Sequence, residues 1–170
     1  MKKIYEMIID KPKQISKITL EDIASENYVL LAIITTLEDY KLAFHFNKHL
    51  STKFTREIND IQLISSENTH SFSNYSHDDY STGTFWRLIE NKSHQSSFNA
   101  KNDSIRFEEY TSSVLFLPEF KNVDFLLKIE DFEDNFDLIN LASQIEQIKN
   151  ITKVYLIEPE NIKSKKNLFL

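Results

Sequence analysis

Val114–Glu130 reads VLFLPEFKNVDFLLKIE. It divides into an apolar strand, a bend at Pro118–Asn122 and a second strand. In the second strand Val123, Phe125, Leu127 and Ile129 alternate with Asp124, Lys128 and Glu130. That period of two predicts one face on a core and one face toward water. Proline has no ladder N–H, so Pro118 ends the first strand.

Working outward, the C-terminal side supplies a turn at Asp131–Asn135. A helix follows on Leu138, Leu141, Ala142, Ile145 and Ile148, with Asn150 as its C-cap, and then a closing strand Thr152–Ile157 stopped by Pro159. The narrow i, i+3, i+4, i+7 stripe is that of a helix lying on a sheet. On the N-terminal side, Tyr28–Ile34 (YVLLAII) is a central strand covered on both faces. Thr36 caps the next helix, Leu37–Leu50, which carries Glu38 and Asp39 in its first turn. Short strands follow in Lys53–Ser65 around an Asn59–Asp60 turn. Ser65–Thr84 reads as turns or loop, with a short pairing at Phe72–Tyr75. Phe85–Glu90 is a strand, Asn91–Ser104 a polar loop, and Ile105–Leu117 one or two strands.

The predicted fold is α+β. A mostly antiparallel sheet carries two main helices on one face, with strand–helix–strand units at both ends and a possible ferredoxin-like C-terminal unit. A single domain is expected over residues 19–160, with a short helix at Thr19–Ser25, an extension over 1–18 and a tail over 161–170. The 170 residues suffice for one core, burying roughly 70% of the unfolded surface.

Composition removes whole classes of chemistry. Cysteine is absent, which excludes disulfides, thiolate zinc sites and cysteine nucleophiles and suits a cytoplasmic setting. Gly83 is the sole glycine, so P-loops, dinucleotide fingerprints and the GxSxG elbow cannot be built. No cofactor is therefore expected. The net charge of −6 disfavours nucleic acid as a partner. The N-terminal residues make no signal peptide and no long apolar run spans a membrane, so no membrane partner is expected.

Leu117-Pro118-Glu119 followed by Val123-Asp124-Phe125 resembles the signature of the bacterial IPExxxVDY family. LEDY at Leu37–Tyr40, NKHL at Asn47–Leu50, Phe54 and Arg56 strengthen the likeness. Leu117 stands for Ile and Phe125 for Tyr, so no reaction depends on a hydroxyl at Phe125. The resemblance implies a shared fold and brings no established activity with it.

Four residues are candidate binding positions: Asn47, His49, Glu119 and Asp124. Asn47 falls inside the apolar arc of its helix, where a buried amide must bond either to the chain or to a ligand. His45 and His49 are four apart on a helix, but Phe46 occupies the place of the glutamate in HExxH, and Lys41 and Lys48 would repel a cation; no metal is expected. Glu119 and Asp124 are either a carboxylate pair or holders of the bend. The His, Ser and Asp of Ser71–Asp79 lack an orienting context for a hydrolase, and only one of Phe85 and Trp86 could stack on a base.

The apolar arc of Leu37–Leu50 is wider than one sheet face requires. Tyr40, Phe44 and Phe46, together with Leu168 and Phe169 of the tail, are interface candidates. The leading reading is a non-enzymatic interaction or assembly module that binds a protein partner or a second copy. The alternatives are a small-ligand sensor and, more weakly, an RNA-binding protein.

Overall fold

A computed structural model describes residues 28–64, 69–93, 114–133 and 136–170. The elements in chain order are β1 (Tyr28–Thr35), α1 (Asp39–His49), β2 (Thr55–Arg56), β3 (Ile61–Ile64), β4 (Thr69–Phe72), β5 (Asn74–Asp79), β6 (Thr84–Glu90), β7 (Lys92–Ser93), β8 (Val114–Leu115), β9 (Phe125–Glu130), α2 (Leu138–Glu146) and β10 (Ile151–Leu156). Short 3-10 turns follow at Pro159–Asn161 and Lys165–Leu168. The expected extension over 1–18, the helix at Thr19–Ser25 and the stretch 94–113 lie outside the described residues.

Six strands form one sheet in the order β10-β1-β9-β6-β5-β2, antiparallel at every pairing. Because β1 runs antiparallel to both neighbours, β9 and β10 are parallel to each other with β1 between them. The unit β9–α2–β10 is thus a split β-α-β. Taking β1, β6, β9 and β10 as strands one to four, their order in the sheet is 4-1-3-2, with α1 after the first and α2 after the third. This is the ferredoxin-like arrangement, and it draws in β1 from the other end of the chain. β2 to β5 are an insertion: β5 and β2 widen the sheet, and β3 and β4 pair as a separate two-stranded sheet.

The strands that looked most buried are central. From β1, Leu31 and Ile33 face the helix-side core, while Leu30 and Ala32 face the opposite core. The helix side holds Leu42, Ala43 and Phe46 of α1 and Leu141 and Ile145 of α2, packed on Leu88, Leu127 and Ile129. The opposite side is covered as well: Phe72, Phe116, Leu117, Ile162 and Leu168 pack on Leu126 and Ile89.

That second cover explains most departures from the sequence reading. In β9 the face of Leu126 and Lys128 does not meet water, and Lys128 is only 1% exposed. Its Nζ donates to Glu130 Oε1 at 2.7 Å and to the Leu168 carbonyl at 3.0 Å, and it lies over the Tyr28 ring. Val123 packs in the opposite core, away from Phe125, because β9 begins only at Phe125 and the alternation does not extend back through the bend. The Ser65–Thr84 stretch carries β4 and β5 in place of a loop. Phe72 and Tyr75 pin them to opposite cores and the whole of β5 pairs with β6.

The helix ends also differ. Thr36 does not cap α1: Glu38 is the N-cap and makes no side-chain capping bond. Asn150 does not cap α2, which ends at Glu146. With φ of 75° Asn150 instead forms the left-handed turn into β10. The last residues dock, with Ile162 and Leu168 buried.

Candidate functional site

The bend after β8 is organised by a residue that carries no signal in the sequence. Asn91 follows β6 directly and is fully buried. Its Nδ2 donates to the carbonyls of Phe120 (2.9 Å) and Val123 (3.0 Å), and its Oδ1 accepts from Leu117 N at 2.8 Å. Its backbone N–H donates to Asp124 O at 2.8 Å, and its carbonyl accepts from Phe116 N at 2.8 Å. One side chain therefore satisfies three backbone groups of an irregular, buried segment.

Around that centre the candidate carboxylates reach apart. Glu119 accepts the N–H groups of Lys163 (2.7 Å) and Ser164 (2.9 Å) and the Ser164 hydroxyl (3.1 Å), which ties the C-terminal segment to the bend. Burial pushes its pKa up. The Ser164 and Lys163 donors outweigh that, so the carboxyl sits below its ordinary value. Asp124 accepts Thr35 N at 2.9 Å through one oxygen and Lys92 Nζ at 2.6 Å through the other. It therefore joins the end of β1 to β7. Leu117, Val123 and Phe125 fill the cores between these contacts. Each polar group of the LPE…VDF stretch holds a different piece of chain.

Asn47 is likewise engaged. Its Nδ2 donates to Phe54 O at 3.0 Å, and its Oδ1 accepts from Phe54 N at 2.6 Å and Thr52 Oγ1 at 3.2 Å. It pairs with the chain leaving α1 as a neighbouring strand would. Arg56 then ties that segment back, bonding Asp39 at 2.9 Å and Asp60 at 2.5 Å.

His49 is exposed, and its ring stacks on that of His45 with centroids 5.8 Å apart. Among the described residues no third ligand joins them. Within Ser71–Asp79, His77 lies against the rings of Phe54 and Trp86, which also touch each other. Asp79 is spent on the Ser81 hydroxyl and backbone, which hold it down to about 2. Trp86 is buried on the helix side with Nε1 bonded to Thr84 Oγ1, and Phe85 faces the other way against Arg87.

Two of the interface candidates are overturned. Phe46 and Leu168 are buried, one under α1 and the other against β9, so neither is available to a partner. Tyr40 and Phe44 are 56% and 62% exposed, and Phe169 is half exposed. Tyr40 and Phe44 stand one helical turn apart and point the same way, away from Leu42, Ala43 and Phe46. The excess width of the apolar arc is made of these two rings.

These features define an antiparallel α+β sandwich with the polar residues of its LPE…VDF stretch bound internally and an aromatic pair left on the outside of its first helix. No family model, curated protein or solved structure matches the chain. No helix among the described residues is long and apolar enough to cross a membrane.

Proposed function

We propose that this chain is a protein-interaction or assembly module acting in the cytoplasm, with the outer face of α1 as its contact surface. The observation that carries this is the solvent-facing pair Tyr40 and Phe44 on a helix whose inner residues already saturate the core. Aromatic side chains are enriched at interface hot spots, and these two rings lie outside the core, with Lys41 over Tyr40 at 5.4 Å and His45 edge-on to Phe44 at 5.7 Å, both of the same helix. The engagement of Asn47, Glu119 and Asp124 by backbone groups supports a structural role for the stretches that resemble the IPExxxVDY family, and we take the chain as akin to that family.

Size-exclusion with light scattering, followed by affinity capture from native extract, tests this on wild type and on Tyr40→Ala/Phe44→Ala. The expected result is a dimer or a retained partner that the double variant loses without losing its fold. A strict monomer that retains nothing contradicts it.

A further inference from the structure

We draw no further inference here: the strongest candidate, the outward face of α1 around Tyr40 and Phe44, belongs to the contact surface already described, and with Glu38 bonded to Lys41 on that face nothing in the structure shows what covers it.

Discussion

Replacing Asn91 with alanine removes one side chain and strands two backbone groups. Leu117 N loses its acceptor and the Val123 carbonyl its donor, at a position with no exposed surface, while the Phe120 carbonyl keeps the N–H of Val123 at 3.1 Å. A buried polar group left unpaired costs about 1–3 kcal/mol. The stranded N–H sits at the high end of that range and the stranded carbonyl at the low end. Summing them and allowing for relaxation of the bend gives a loss of about 2–4 kcal/mol, a large share of a domain's usual 5–15 kcal/mol. Asn91→Asp should do no better: it keeps an acceptor for Leu117 N but loses both donations and buries a charge. Urea unfolding is readily followed by the fluorescence of Trp86, which is buried and is the only tryptophan. Ile58→Ala, at a fully exposed position, serves as the control and should stay within about 0.5 kcal/mol of wild type. An Asn91→Ala protein within about 1 kcal/mol of wild type would refute the view that this side chain holds the bend together.

Three further outcomes rest on single contacts. Leu168→Ala should lower stability by about 2–3 kcal/mol while Phe169→Ala stays within about 0.5 kcal/mol, measured by the same unfolding curves, because only the first of these side chains is buried. The pKa of His77 is lowered from the ordinary 6.5, chiefly by burial against Phe54 and Trp86. Its contribution is therefore fully present above that value and is lost as pH falls through its folded pKa. His77→Gln should flatten the pH dependence of stability between about pH 5 and 7, compared with wild type across matched buffers. Glu146 Oε1 accepts Val154 N at 2.9 Å on the outer edge of the sheet, where an incoming strand would bind. Glu146→Ala should cost about 1 kcal/mol and produce concentration-dependent association by light scattering.

The large elements were legible because their apolar residues follow one period over a sufficient length. The run Tyr28–Ile34, the stripe of Leu138–Ile145 and the alternation of Phe125–Ile129 all fall where their patterns place them, while Ile148 packs on the core from beyond the helix end. β4 and β5 were not legible: Ser, His, Asn and Asp argue for turns locally, and only pairing with β6 makes them strands. Lys128 misled for a related reason. A lysine at an alternating position reads as solvent-facing, and nothing local reveals that Leu168, forty residues on, supplies a carbonyl and a cover. The candidate site shows the same division. Tyr40 and Phe44 were visible as apolar arc beyond what one sheet face needs. Asn91 was invisible because its partners, Leu117 to Val123, are distant in sequence and irregular in structure.

The claim most exposed to failure is that α1 is where this protein meets its partner. A photo-crosslinking residue at position 44 tests it in living cells, with the same residue at position 80 as comparison, since Tyr80 is 92% exposed at the tip of the β5–β6 hairpin. A discrete crosslinked species from position 44 and none from position 80 is the expected result. Crosslinking from position 80 alone, or equally from both, would contradict it.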